Sequence, residues 1–326
     1  MITFLGLSHL SISYSASALF YGQKILILDT KREIDNYKKK KFKVFEPNLK
    51  KILDKYSNNF NISHNFEDAI KSDIIFLAKD IKTDKKNNIL LKETQSLLKR
   101  IKSHRNKILV IMNQVPVGFT RNIKWNKNRL YHFVETLVFG NAINRAIKPE
   151  RIIIGKKNIE CKISIKLLNF LKLYKCEIIQ MTYEESELTK GFINTYLASQ
   201  LITTNFLSEI ANCYKSNWNR IIKAVTLDKR IGKEGYFKTG LGISGGNIER
   251  DIQSLNRITK VNKIKNNLPK FFINSNNYSR NWVNKIIMKQ KIANKKVSVL
   301  GITYKEQTLS TKNAIQIDLL NKYKNK

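Results

Sequence analysis

The first thirty or so residues narrow the fold more than any other stretch. "ITFLGL" (2–7) is an apolar run that ends in glycine, and "KILILD" (24–29) is an apolar run that ends in an acid. Short continuous apolar runs suit strands buried on both faces, as in a parallel sheet. Between them, "SISYSASALFYGQ" reads as a small-residue helix that ends near Gly22. Neighbouring parallel strands need a crossover of roughly a dozen residues or more, so the three pieces read as one βαβ unit. "SDIIFLA" (72–78), "NKILVIMN" (106–113), "ERIIIG" (150–155) and "CEIIQM" (176–181) repeat the strand signal, the last closing the series. Strands alternating with helical stretches predict an α/β fold with a parallel, doubly wound, Rossmann-type sheet.

The character changes after Met181. "YEESELTKGFINTYLASQLITTNFLSEIANCYK" places Leu188, Phe192, Tyr196, Leu201, Phe206 and Ile210 at helical spacing, with Gly191 its one glycine. That predicts a single long helix leading into an all-helical region. "NWNRIIKAVTLD" and "NYSRNWVNKIIMKQKI" read as further helices, separated by the glycine-rich "KTGLGISGGNIERDI" (238–252). "KKVSVLGITYK" (295–305) then reads as a fresh strand opening a short βα piece. The expected division is a sheet domain over 1–182, a helical domain over 183–292 and a βα piece over 293–326.

Composition excludes some classes. No apolar run approaches the length of a membrane span, and the first segment lacks the basic start and cleavage site of a signal peptide. Cys161, Cys176 and Cys213 form neither an even disulfide set nor a metal-ligand spacing, so a cytoplasmic home without a resident metal is expected. The net charge of +35 is extreme. It suits nucleic acid, another polyanion or a small phosphate-bearing ligand. Yet the lysines are spread along the chain, with "NYKKKKFK" (36–43) the one tight block, and aromatic residues do not interleave with them. An A/T-rich coding sequence, which favours Lys, Asn and Ile, accounts for the charge without a nucleic-acid partner.

The turn "FLGLSHLSIS" occupies the place of the G-x-G-x-x-G fingerprint of dinucleotide-binding βαβ units. Gly6 is present, while Ser8 and Ser11 stand at the second and third glycine positions. Serine is small enough for both, and the helix start, including Leu10, still offers N–H groups to a diphosphate. Asp29 lies 23 residues after Gly6, at the end of the second strand. There a carboxylate accepts hydrogen bonds from an adenosine ribose and favours NAD over NADP. A βαβ unit with no cofactor is the alternative.

Further along, the order of motifs becomes specific. "NQVPVGFTRNI" (113–123) resembles the S-T-V-P-x-G-T-T turn of the UDP-glucose/GDP-mannose dehydrogenase family. "YHFVETLVFGNAINRAIKPERIIIG" (131–155) is similar to its P-E-F-…-G-…-A-…-P-x-R-I-x-I-G segment. "ELTKGFINTYLASQLITTNFLSEIA" (187–211) resembles E-x-x-K-x-x-x-N-x-x-L-A-x-x-I-…-N-E-x-A. "LDKRIGKEGYFKTGLGISGGNIERD" (227–251) resembles L-D-x-R-I-G-…-G-x-G-Y-G-G-S-C-F-P-K-D. "VSVLGITYKEQTLSTKNA" (297–314) resembles the opening of the family's C-terminal nucleotide-binding domain.

The resemblance implies an NAD-binding first domain, a central helix that builds a homodimer, and oxidation of a nucleotide sugar's C6 alcohol to a carboxylate in two hydride transfers. It implies that Lys190, Asn194, Asp251 and Glu135 serve the chemistry, and that Gly6, Ser8, Leu10, Ser11, Asp29 and Gln114 hold NAD. Tyr236, Gly242, Gly245, Gly246 and Arg250 are implied to hold the sugar nucleotide. Three departures stand out. Asn247 falls where the family carries its thioester-forming cysteine, and an amide is no nucleophile. Gln114 and Phe139 replace a Thr and a Glu of the family pattern. The C-terminal domain is cut to a βα piece, which packs on the central domain, is completed by a partner, or belongs to a shortened chain. Two readings stay open: an oxidoreductase limited to one hydride step, with Asn247 among its polar groups, or a catalytically inactive relative that keeps the fold and the dimer.

Overall fold

The computed structural model describes residues 1–39, 45–84, 89–289, 298–304 and 310–323. Two compact units divide the chain, Met1–Lys190 and Gly191–Lys326. In the first, the described residues form an eight-stranded sheet: β1 (Ile2–Leu5), β2 (Ile25–Leu28), β3 (Phe60–Ser63), β4 (Ile74–Leu77), β5 (Ile108–Ile111), β6 (Leu130–Phe133), β7 (Arg151–Lys156) and β8 (Glu177–Thr182). Their order is β3-β2-β1-β4-β5-β6-β7-β8. The apolar runs behave as expected: β1, β2, β4 and β5 are buried at every position.

Two features depart from the expectation. β6 and β7 pair antiparallel, so the sheet is mostly rather than wholly parallel. β3, "FNIS", and β6, "LYHF", carried no strand signal because polar residues interrupt them. β3 is an edge strand held by pairing with β2, and β6 is a buried strand held from both sides.

The helices of this unit are α1 (His9–Phe20), α2 (Lys31–Lys38), α3 (Leu49–Lys55), α4 (Lys92–Arg100), α5 (Phe119–Asn122), α6 (Ala142–Ile147) and α7 (Ile165–Lys172). α1 is buried from Leu10 to Leu19, and its small side chains allow the close approach in which Ser17 Oγ donates to the carbonyl of Ala146 on α6 at 2.7 Å. A capping box of Ser8 and Ser11 closes its N-terminus.

α8 (Tyr183–Cys213) is the expected long helix. Its first turns are fixed by packing on the sheet. A Cβ at Gly155 on β7 would lie 2.0 Å from Ser186 Oγ, and the Glu187 carboxylate accepts the N–H groups of Gly118 (2.5 Å) and Thr120 (2.8 Å). Among the described residues five further helices follow: α9 (Trp218–Val225), α10 (Asn247–Val261), α11 (Leu268–Arg280), α12 (Trp282–Lys289) and α13 (Ile315–Tyr323). The expected helix at "NYSRNWVNKIIMKQKI" is two helices, broken at Asn281.

The second unit buries a small core of Ala198, Ile202, Ile243, Ile252 and Phe272. Of the apolar stripe read from the sequence of α8, Leu201 packs against this core and most of the rest does not. Phe192, Tyr196, Phe206 and Ile210 are exposed, while the buried face carries Lys190, Asn194, Ala198 and Ile202.

Lys295, Lys296, Val297 and Lys305 of the expected terminal strand lie outside the described residues, as do Lys40, Lys41, Phe42 and Lys43 of the basic block. Ser298–Tyr304 form no strand, since no neighbouring strand offers them a ladder. Of the three fates open to the tail, its described residues take the first. Gly245 N–H donates to Lys312 O at 3.1 Å, Asn313 Nδ2 to Gly245 O at 2.9 Å, and Arg280 to Asn313 O at 2.9 Å. Tail and glycine-rich loop thus share one unit.

Candidate active site

In an open α/β sheet, ligands bind beyond the carboxyl ends of the strands where the strand order reverses. Here that point lies between β1 and β4, with β2 and β3 on one side and β5 to β8 on the other. The segments leaving β1 and β4 carry Gly6–Ser8 and Lys79–Asp80. Gly6 has φ +101°, and a Cβ there would lie 2.7 Å from Lys79 Cβ, so the turn requires glycine. α1 then presents its N-terminus, with Ser8 as cap and Leu10 and Ser11 buried behind it. The His9 N–H donates to Asp80 Oδ2 at 3.3 Å.

Asp29 is buried at the end of β2, where the sequence placed it. Both of its oxygens are engaged within the chain. Oδ2 accepts the Leu7 N–H at 2.6 Å and the Lys79 ammonium at 2.8 Å, and Oδ1 accepts the Thr30 N–H at 2.7 Å. Lys79 Nζ also lies 3.3 Å from Glu33 Oε2. Burial works against the lysine's charge, but Asp29 and then Glu33 outweigh it and raise its pKa above the ordinary lysine value. Asn113 Oδ1 accepts the Lys79 backbone N–H at 3.2 Å, which ties the end of β4 to that of β5. Gln114 follows Asn113 at the same edge. The turn, the helix start and the acid form the kind of cradle that a dinucleotide requires. Lys79 and Asp80 were passed over in the sequence. The signal was available: a charged pair directly follows the apolar run "IIFLA" at a strand's carboxyl end.

Further along this edge, Lys190 Nζ pairs with Glu135 Oε1 at 3.2 Å, with both side chains largely buried. The neighbouring His132 donates to or accepts from Ser186 Oγ at 2.8 Å, and burial lowers its pKa to about 4. Phe139, at the departure noted above, packs on His9 with ring centroids 4.3 Å apart and the rings tilted by 39°.

In the second unit, Asn194 Nδ2 donates to Asp251 Oδ2, and Arg250 Nε lies 3.4 Å from Asp251 Oδ1. All three residues are buried. Asn247 is not in a loop: it is the first residue of α10, and it is exposed, one turn before buried Asp251. The glycines before it are spaces that this chain's own side chains fill. A Cβ on Gly242 would lie 2.6 Å from Asn276 Oδ1, one on Gly245 3.0 Å from the Tyr304 ring, and one on Gly246 2.8 Å from Lys312. Burial, and then the charge of Arg250, lower the pKa of Lys312, so two cations stand near each other beside the loop. Tyr236 is held through its backbone to α8, its N–H donating to Gln200 Oε1 at 3.2 Å and its carbonyl accepting from Thr204 at 2.9 Å. Asn276, Tyr304, Lys312 and Asn313 escaped the sequence reading because they come from segments that only the fold brings to the loop.

Among the described residues no group of His, Cys, Asp and Glu side chains could hold a metal ion, and no helix is long and apolar enough to cross a membrane.

Comparison with known proteins places this geometry. Residues 1–175 match the NAD binding domain of the UDP-glucose/GDP-mannose dehydrogenase family, and residues 184–278 match the central domain of the same family. The UDP-glucose 6-dehydrogenase of Campylobacter jejuni is 26% identical over 319 residues, covering 94% of this chain and 79% of that protein. A Bacillus subtilis UDP-glucose 6-dehydrogenase is also 26% identical, over 92% of this chain and 68% of its own length. In fold, the chain is similar to a UDP-glucose dehydrogenase from Pyrobaculum islandicum, with a TM-score of 0.86 at 21% identity over 98% of this chain and 78% of that one. A UDP-D-ManNAc dehydrogenase from Pyrococcus horikoshii gives 0.83 at 17% identity over 100% and 81%.

Proposed function

The chain belongs to the UDP-glucose/GDP-mannose dehydrogenase family, and from that premise we propose an NAD-dependent oxidation of a CH–OH group of a nucleotide sugar that stops after one hydride transfer. The observation that carries the proposal is the buried polar row on α8. Lys190 is paired with Glu135, and four residues on, Asn194 is bonded to Asp251. Buried ionisable groups of this kind are costly unless they are used or fully paired, and they cluster at reactive sites.

Gly6, Ser8, Leu10, Ser11, Asp29 and Gln114 would hold NAD at the β1–β4 switch point. Bound there, NAD supplies the hydride acceptor. Lys190 would hold the alcohol oxygen as it gains negative character, oriented by Glu135. Asp251 would take the hydroxyl proton, with Asn194 fixing its carboxylate. Tyr236, Gly242, Gly245, Gly246 and Arg250 would surround the sugar nucleotide, and the Arg250–Lys312 pair suits its diphosphate. Asn247 can hydrogen-bond but cannot form a thiohemiacetal or a thioester, so the aldehyde is the end point.

The test is the yield of NADH per nucleotide sugar consumed, with UDP-glucose as the first substrate and the product's oxidation state read by mass spectrometry. One NADH and an aldehyde are expected. Two NADH and a carboxylate would mean that another route replaces the cysteine. No NADH with any of a panel of nucleotide sugars would favour the inactive relative. Lys190→Ala should lower turnover by about 100-fold or more.

The exposed apolar face of α8 supports a homodimer. Together with α9 it lines a groove of about 560 Å³ that includes Leu207, Ile210, Tyr214, Trp218 and Ile221. α9 buries none of its own residues. An apolar face of this extent is what a second copy would cover. Three free cysteines suit the cytoplasm. The working division remains an NAD-binding part over 1–182, a dimerisation and substrate-loop part over 183–292, and a nucleotide-side part over 293–326.

A further inference from the structure

We propose that Lys79 sets the cofactor selectivity of the groove at the adenosine ribose, making it accept NADP as well as NAD; this rests on the dinucleotide reading of the β1–β4 switch point.

A carboxylate at the end of the second strand selects for NAD because it hydrogen-bonds the ribose diol and repels a 2′-phosphate. Such selection needs a carboxylate with free acceptor capacity and no countercharge. Asp29 carries a countercharge and keeps acceptor capacity on Oδ1 alone. Its two oxygens accept from Leu7, Thr30 and Lys79, and the ammonium stands 2.8 Å away in a pocket that leaves the lysine side chain only 9% exposed. The ammonium therefore lies where the ribose hydroxyls would meet the acid.

The lysine is fixed by the backbone at its root and by exchangeable polar contacts at its tip. Its N–H is held by Asn113, and its Cα and Cβ lie directly over Gly6, where even one added carbon would collide. Beyond Cβ the stem is flexible, and the head is held by ion pairs to Asp29 and Glu33 and by a long contact, 3.5 Å, to the Leu7 carbonyl. An incoming ribose diol must displace that head from Asp29. A 2′-phosphate offers it a doubly charged acceptor at the same place. The competing carboxylate, Glu33, is more than one-third exposed on the first turn of α2 and is screened by solvent. One ammonium so placed converts a site built to reject the phosphate into one that can pair with it.

Equilibrium binding by calorimetry on the full chain tests this without turnover. In the wild type, NAD and NADP should bind within about tenfold of each other, and adenosine 2′,5′-bisphosphate should bind more tightly than adenosine 5′-monophosphate. Lys79→Met should weaken NADP by about tenfold or more while NAD is held or improved, and Lys79→Arg should keep the wild-type ratio. An NAD preference of about 100-fold in the wild type, or a ratio unchanged in Lys79→Met, would overturn the proposal. If Lys79→Met does not fold, as judged by its melting curve, the wild-type pair of adenosine nucleotides decides alone: a bisphosphate that binds no better than the monophosphate overturns it. Failure of all four ligands to bind would instead remove the dinucleotide reading itself.

Discussion

The two units of this chain differ in how much apolar core they assemble and in how much apolar surface their helices leave uncovered. In Met1–Lys190 the sheet buries two large apolar clusters, one on each face, and the buried charged residues Asp29 and Lys79 follow the ends of β2 and β4. In Gly191–Lys326 the main apolar cluster is five buried residues, while Asn194, Arg250 and Asp251 are also buried and large apolar side chains stand in solvent. A unit whose core is complete can spend its strand ends on a ligand. In the second unit the exposed apolar face of α8 is the surface that the proposed second copy would cover.

The largest effect should come from the buried polar group of the second unit. Asp251→Ala removes the acceptor of Asn194 and the carboxylate beside Arg250. Removing one partner from a buried pair typically costs about 3–5 kcal/mol, read here from urea melts of the second unit's tryptophan signal. Trp218 and Trp282 report on that unit and Trp125 on the other, so variants lacking Trp125 isolate the signal. A loss below about 1 kcal/mol would mean that the triad is solvated and that the contrast between the units is overdrawn.

A somewhat smaller effect should appear in the first unit as the pH falls. All four histidines lie in it, and burial holds His132 neutral with a pKa of about 4, below the unfolded value near 6.5. A depressed folded-state pKa gives stability that is complete above the unfolded value and is lost as pH falls from about 6.5 to 4. The shift corresponds to roughly 3 kcal/mol. The first unit should therefore lose melting temperature across that window while the second, which has no histidine, does not lose it from this source. His132→Gln should flatten the dependence. An unchanged slope in that variant would assign the acid sensitivity to carboxylates instead.

The same contrast explains how much was legible in the sequence. Buried parallel strands are continuous apolar runs, so β1, β2, β4 and β5 could be read directly, as could the small-residue helix between the first two. β3 and β6 could not, because pairing with neighbours rather than composition makes them strands. The spacing of Lys190 and Asn194 put them on one face of α8, and the motif resemblance put Glu135 and Asp251 with them. Lys79 was missed because its partners, Asp29 and Glu33, are some fifty residues away in sequence. The glycine loop was read as wrapping a sugar. Its fillers Asn276, Tyr304 and Lys312 come from α11 and the tail, which no local pattern connects to it. Helical periodicity located α8 correctly, yet Phe192, Tyr196, Phe206 and Ile210 of its apolar stripe are exposed. Periodicity finds a face and does not say what covers it.

That stripe gives the smallest effect on the folded chain and the sharpest test of the contrast. Tyr196 is 76% exposed, Phe206 61% and Tyr214 80%, so replacing them removes little burial within one chain. Tyr196→Ser and Phe206→Ser should each change the stability of the isolated unit by less than about 0.5 kcal/mol. In a dimer that covers α8 and α9, the same side chains sit in the interface core, where loss of a large aromatic anchor weakens association by about tenfold or more. Light scattering over a dilution series, with melts at each concentration, separates the two. A wild type whose melting temperature rises with concentration, and a Tyr196→Ser/Phe206→Ser variant that is monomeric and concentration-independent, would make the second unit's apolar face a subunit interface. Identical masses and melting curves for the two proteins would show that this face is covered by nothing of the kind, and that the small core of Gly191–Lys326 stands on its own.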